Sequence, residues 1–410
     1  MIKLLKAGQL IDGLGNPPLS NAAVLVDGDR IKAVMSNPPD DLGSPVETLD
    51  FPGGTLLPGL IDAHVHVTID PTCYDTPAFL MSATEAQLYE IGKRQVRQFL
   101  EAGVTTVRDL GARELVSLTI RDDVAAERII GARVLAAGPV ITTVKGHGYF
   151  NGVEVANNAE LTAIIAKLIA DGVDVIKLIG TGGGVTPGSD PTQPQFDSAT
   201  LKLAVDTAHR GGRRVAVHAH SAAGIRNCLE AGVDTIEHCT FVTSRGVESD
   251  ARLIEQLAER QLHVVPTLGP WYVLRDSSDP FLGFPQFGFS PHFMCDKVLA
   301  NLDLMRRAGV KLVTGTDAGT WRLTPDKLYD EMEGFTQAGF SPIQTIAAAT
   351  SVAAEALGIA NETGSIEVGK RADLVVAPGD PTHDFSVLSR PALVMQGGKV
   401  CFQAAIDGKV

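Results

Sequence analysis

From Gly59 to about residue 357 the sequence alternates between short apolar runs rich in β-branched residues and longer runs with helical spacing. Eight apolar runs can be counted: Gly59–Val67, Gly103–Gly111, Ala132–Thr142, Val173–Gly180, Arg214–Ser221, Val233–Thr240, His263–Leu268 and Val310–Gly319. Helical runs precede all but the first, around residues 82–102, before 132, at 158–171, from Ser198, and at 222–231, 249–260 and 296–308. Strands covered on both faces read as continuous apolar runs, and a strand parallel to its predecessor needs a crossover of a dozen or more residues. Eight such units over about 260 residues predict a (β/α)8 TIM barrel.

The flanks read differently. Val24–Val26 and Arg30–Val34 surround Asp27-Gly28-Asp29, a hairpin signal, and no helical period is evident before residue 57. After helices expected at 326–338 and 342–357, Gly364–Ile366, Ala372–Val376 and Ala392–Met395 are strand-like, with Gly397-Gly398 closing the last turn. Neither end can build a good core alone, so we expect a small β-sandwich from residues 1–57 plus 358–410 around a barrel at 58–357.

A chain of 410 residues has room for both parts. Its formal net charge of -13 argues against nucleic-acid or anionic-membrane partners, which need a basic face. No apolar run reaches the ~18 residues of a membrane span, and the N-terminus lacks the apolar core of a signal peptide. The expected location is therefore the cytoplasm, and a homo-oligomer is expected. Five scattered cysteines without a C-x-x-C pair read as reduced thiols, with Cys239 as a small buried residue.

Barrel active sites lie at the carboxyl ends of the strands. His64 and His66 stand two apart on the first strand, so their side chains share a face. Lys177 lies in the fourth run, His218 and His220 in the fifth, His238 near the end of the sixth and Asp317 near the end of the eighth. Each alone has a plain reading: a histidine hydrogen-bonding a neighbour, a solvated lysine, an aspartate capping a helix. Together they would need several coincidences at one end of one barrel. Neutral imidazoles and a carboxylate suit two divalent ions such as zinc. An ammonium beside two cations would be repelled, whereas a lysine amine that has added CO2 is an anionic carbamate able to bridge them.

The order His-x-His, Lys, His, His, Asp resembles the amidohydrolase superfamily. So do the opening Pro58-Gly59-Leu60-Ile61-Asp62-x-His64-x-His66 and the closing Gly364–Leu374 segment. Thr105–Asp109, His218-Ala219-His220 and Ile236-Glu237-His238 are similar to its imidazolonepropionase-related branch of Xaa-Pro and Xaa-Arg/Lys dipeptidases and ochratoxin-type amidases. The resemblance implies that His64, His66 and Asp317 hold one metal, that His218 and His238 hold the other, and that carbamylated Lys177 bridges them. On geometry alone His218 or His220 could be the ligand. The twenty-residue step from His218 to His238 matches the branch and favours His220 as a substrate-binding partner.

The implied reaction is hydrolysis of an amide, in a dipeptide or N-acyl amino acid, with Asp317 as general acid and base. Substrate contacts are expected from His147 and Tyr149 in Gly146-His147-Gly148-Tyr149, from His220, and from Arg322 as a carboxylate anchor. Thr181-Gly182-Gly183-Gly184 reads as close backbone approach. An aromatic loop from Pro270 to Pro291 reads as a lid or an oligomer contact, and Arg108-Asp109 as a buried pair. The rival readings are a cyclic-amide hydrolase, a mononuclear deaminase and a non-catalytic barrel. Glu237 would serve the deaminase poorly if strand alternation turned it away from His238.

Overall fold

The computed structural model describes residues 2–38, 46–73, 75–276, 291–320 and 322–404. All eight apolar runs contain strands: Leu60–Val65, Val104–Asp109, Arg133–Ala136 with Val140–Thr143, Val175–Ile179, Arg214–Ala219, Thr235–His238, His263–Val265 and Lys311–Leu312. Neighbours in this order pair in parallel. The third run is divided because Gly138, at φ +65°, turns the chain and Pro139 has no N–H to offer a ladder. Where the eighth strand's extension meets the first, Val65 and Ala318 form a parallel bridge. The Ala63 N–H donates to the Thr314 carbonyl (3.1 Å) and the Asp317 N–H to the His64 carbonyl (2.8 Å).

The crossover helices start on side-chain caps. Asn157, Asp197, Ser221 and Asp250 each accept from an N–H in the first turn of Asn158–Ala170, Ser198–Arg210, Ala222–Ala231 and Ala251–Glu259. Glu85–Glu101 begins with a reciprocal box between Thr84 and Gln87. Their apolar faces and the strands share one large core that includes Phe99, Ile165, Val217, Leu257 and Phe335. The helix expected at 342–357 is two, Pro342–Ala348 and Ser351–Leu357. They part at Thr350 (φ -138°, ψ -89°), whose hydroxyl donates back to the Ile346 carbonyl (2.6 Å). Part of the expected aromatic loop is also helical, at Gly269–Asp276, while Phe281, Phe284, Phe287 and Phe289 lie outside the described residues.

The two ends of the chain join one seven-stranded sheet, in the order Lys399–Gln403, Leu393–Gln396, Leu374–Ala377, Glu47–Pro58, Ile2–Leu10, Leu19–Asp27, Arg30–Ser36. Glu47–Pro58 and Ile2–Leu10 run parallel and every other pair is antiparallel. The sheet encloses its own core of Leu5, Val24, Leu56, Leu374 and Leu393 among others. Gly364–Ile366, expected as a strand, makes no ladder; Ile366 instead donates its N–H to the Asp12 carbonyl.

Asp373, 2% exposed, fastens this sheet to the barrel. It accepts from the Gly397 N–H (2.8 Å) and the Thr363 hydroxyl (3.0 Å), and pairs with Arg133 at the start of barrel strand three. Replacing it by alanine strands a buried hydroxyl, a half-buried N–H and a half-buried arginine, so Asp373→Ala is expected to cost about 2–4 kcal/mol in urea unfolding. An unchanged midpoint would show that the linkage contributes nothing.

His263, at the start of strand seven, is pushed down to about 4 by burial, against a weak opposing pull from Glu355 at 3.8 Å. The unfolded imidazole therefore binds its proton first, and stability present above about pH 6.5 is lost as pH falls toward 4. His263→Asn should show a shallower pH dependence of the urea midpoint over that window. Equal slopes would remove His263 from the acid response.

Candidate active site

His64, His66, His147, Lys177, His218, His220, His238 and Asp317 all line one cleft of about 860 Å³, including its open part. The ring centroids of His64 and His238 are 5.1 Å apart, those of His218 and His238 4.5 Å, and those of His218 and His220 4.5 Å. Ligand atoms of His218, His220 and His238 lie within 4.8 Å of one another, and so do those of His64, His238 and Asp317. His66 joins the second group through a 3.2 Å contact between its Nε2 and Asp317 Oδ1.

The backbone explains how they meet. Strand alternation brings His64 and His66 to one side. His238 and Asp317 sit at φ +70° and +62°, in the left-handed region, so each departs from the alternation of its strand. A side chain at Gly315 would place its Cβ 2.4 Å from Val265 of strand seven and 2.9 Å from His64 Cβ of strand one, so glycine is what fits between the two strands. Gly183 has the same role against the His147 ring, at 2.5 Å, in keeping with the expected close approach of this loop.

Hydrogen bonds to groups that can only accept place a proton on one ring nitrogen of three histidines. His64 Nδ1 donates to Glu237 Oε2 (2.8 Å), and His66 Nδ1 donates to the Gly111 carbonyl (3.1 Å). His64 therefore presents a bare Nε2 toward Asp317, while His66 Nε2, 3.2 Å from Asp317 Oδ1, shares a proton with that carboxylate. His218 Nε2 donates to the Gly182 carbonyl (3.1 Å), which leaves its Nδ1 bare. His238 Nδ1 is held by the Thr267 hydroxyl (2.6 Å) and His220 Nδ1 by the Thr240 hydroxyl (2.8 Å). Burial keeps five of the imidazoles neutral: His64 and His147 fall to about 4 and His220 to about 3, while His218 and His238 lie well below the ordinary value. His66 is the exception, raised above its ordinary value because its hydrogen bond to Asp317 outweighs burial. For Asp317, burial favours the acid, but the His66 hydrogen bond and the charges of His64, His66 and Lys177 outweigh it and leave a carboxylate.

Lys177 is 2% exposed, and among the described residues its Nζ has no hydrogen-bond partner. Burial pulls its pKa down to about 8, which leaves a usable fraction of free amine near neutral pH. Bare imidazole nitrogens, a carboxylate and an unpartnered amine in one pocket form a donor set that fits divalent ions of borderline softness.

Several supporting residues escaped the sequence. Glu237 does not face away: it is buried in the same interior and bonded to His64, because it is His238 that breaks the alternation. Burial opposes its charge, but Arg108 (3.0 Å) and His64 hold it down to about 2. Arg108 and Asp109 are therefore not a pair; as strand neighbours they point to opposite faces, and Asp109 accepts from the Val67 N–H instead. Asp62 binds the Thr316 hydroxyl (2.6 Å), and Glu331 binds the N–H groups of Leu268 (2.7 Å) and Gly269 (3.0 Å), just beyond Thr267. Tyr149 and Arg322 are not among the lining residues. Tyr149 is exposed with its ring edge-on to Phe150, and Arg322 is exposed. Phe150 and Trp271 line the cleft in their stead.

The Amidohydrolase family profile matches residues 55–401, most of the chain. The chain belongs to the amidohydrolase family. This amidohydrolase is 27% identical to ochratoxinase of Aspergillus niger, over 97% of its own length and 86% of the relative's. It is 25% identical to imidazolonepropionase of Shewanella oneidensis, over 86% and 85%. A crystal structure of a Xaa-Pro dipeptidase with methionine bound in its active site superposes with a TM-score of 0.88 at 28% identity, covering 98% of this chain and 100% of that one. The amidohydrolase is a hydrolytic enzyme acting on amide bonds, of the imidazolonepropionase-related branch, in a family that generally uses divalent metals. Among the described residues no helix is long and apolar enough to cross a membrane.

Partners that orient a ligating histidine typically matter 10- to 100-fold in metal affinity. Thr267→Val, which keeps the shape but removes the hydroxyl from His238, should weaken zinc binding about tenfold in a chelator competition, and Thr267→Ser should not. Equal affinities in both variants would show that Thr267 does not orient His238.

Proposed function

We propose that this amidohydrolase uses two divalent metal ions, zinc being the best match to the donor set, to cleave an amide bond in a small molecule with an apolar or aromatic part. The observation that carries this reading is the unpartnered amine of Lys177 in the same cleft as two groups of close-set candidate ligand atoms. His64, His66 and Asp317 would hold one ion and His218 and His238 the other, with Lys177, as its CO2 adduct, shared between them. His220 lies within ligand distance of His218 and His238 and is assigned to substrate, as is His147. Dipeptides and N-acyl amino acids belong to the class, in line with the likeness to ochratoxinase and to the Xaa-Pro dipeptidase.

Bound metal would supply Lewis acidity, lowering the pKa of water from 15.7 toward about 7 and polarising the scissile carbonyl. The chain's own residues do the rest. Asp317, a carboxylate 3.2 Å from His66 and 3.6 Å from His64, is placed to take the proton of the attacking water and pass it to the leaving nitrogen. Neutral His147 and His220 can offer N–H groups to the developing oxyanion. Opening of a cyclic amide is a second reading, favoured by the likeness to imidazolonepropionase. The deaminase reading is weaker, because Glu237 is committed to Arg108 and His64 and is not available to carry a proton.

Asp317→Asn should keep the far-ultraviolet spectrum of the parent and lose about 10²–10⁴ in kcat on any amide the parent hydrolyses. Near-parent turnover would remove Asp317 from proton transfer.

A further inference from the structure

The cleft facing the histidines is walled by Ile69, Leu110, Val140, Phe150, Ile179 and Trp271. Among the described residues, Lys177 is the one lysine or arginine that lines it. Three nearby guanidiniums are engaged elsewhere: Arg108 with Glu237, Arg94 with Asp70 at 2.8 Å, and Arg113 with the carbonyls of Leu80 and Ala83; Lys145, two residues before His147, is exposed and does not line the cleft. Arg275 lies over the Tyr272 ring, 4.8 Å from its centre. The sequence of residues 277–290 holds neither lysine nor arginine, so that stretch has no cation to contribute. The whole molecule carries a formal charge of -13, which repels anions on approach.

We propose that the substrate of this cleft is an uncharged amide, with an aliphatic or aromatic group on the apolar wall and no free carboxylate on either side of the scissile bond. The proposal rests on the amide-hydrolase reading and narrows it: of the class named there it keeps the neutral amides and drops dipeptides and N-acyl amino acids, which carry a free carboxylate. A carboxylate drawn into this wall would give up its water without meeting a guanidinium or ammonium, a cost that an isosteric neutral group escapes. A carboxylate that reached the histidines instead would occupy the place of the scissile carbonyl. Arg322, expected from sequence as a carboxylate anchor, does not line the cleft.

The test uses the full-length protein reconstituted with zinc and bicarbonate. Its substrates are matched amides: N-acyl-L-phenylalanine, the corresponding N-acyl-L-phenylalaninamide and the decarboxylated N-(2-phenylethyl) amide, each with acetyl and benzoyl groups. Both neutral members are expected to exceed the acid in kcat/KM by at least about tenfold with either acyl group. Acids turned over as well as or better than their neutral partners would overturn the inference while leaving amide hydrolysis standing. No turnover of any member would remove the amide-hydrolase reading and the inference with it. Trp271→Ala should raise KM for the benzoyl amides more than for the acetyl ones; an equal effect on both would contradict an aromatic wall that recognises substrate.

Discussion

Lys177 is 2% exposed, and among the described residues its Nζ has no hydrogen-bond partner. An ammonium in that position carries a desolvation penalty of several kcal/mol unless a counter-charge repays it. The acidic side chains within reach are already committed. Glu237 is held between Arg108 and His64, and Asp317 is bonded to His66. The pKa of Lys177 is therefore pulled down to about 8, which enlarges the fraction of free amine near neutral pH, the form that can add CO2. The same desolvation keeps His64, His218 and His238 neutral, so each has a ring nitrogen available. A pocket costly to leave empty-handed is the physical reason for reading it as a metal centre rather than as a polar flaw in the core.

The rest of the fold holds that pocket rigid. Five strands deliver the side chains proposed as ligands, and the supports come from elements far away in sequence: Arg108 of strand two reaches Glu237 of strand six, and Glu331 of Leu328–Gln337 holds the turn after strand seven. The terminal sheet is part of this frame through Asp373 and Arg133. The cleft opens between apolar side chains, so the chemistry is polar at its floor and greasy along its walls.

Much of this was legible in the sequence because period-two and helical patterns govern burial locally. His64, His66, Lys177 and His218 were found by their place on strands, and the structure sets them together. The misses share one cause: local pattern carries no signal about tertiary partners. Glu237 was turned the wrong way because nothing in Ile236-Glu237-His238 announces the left-handed backbone at His238. Arg108 was paired with its neighbour although its true partner lies 129 positions on. Tyr149 and Arg322 suggest themselves by chemistry alone, while Phe150 reaches the cleft from the short 3-10 turn Tyr149–Asn151 and Trp271 from the helix Gly269–Asp276, placements that composition does not encode.

The most direct test is an anomalous difference map at the zinc edge, from crystals of the full chain grown with zinc and bicarbonate. Two peaks are expected, one against His64, His66 and Asp317 and one against His218 and His238, with added density on Lys177 Nζ reaching both. A single peak away from Lys177, or none, with that amine unmodified, would contradict the binuclear centre.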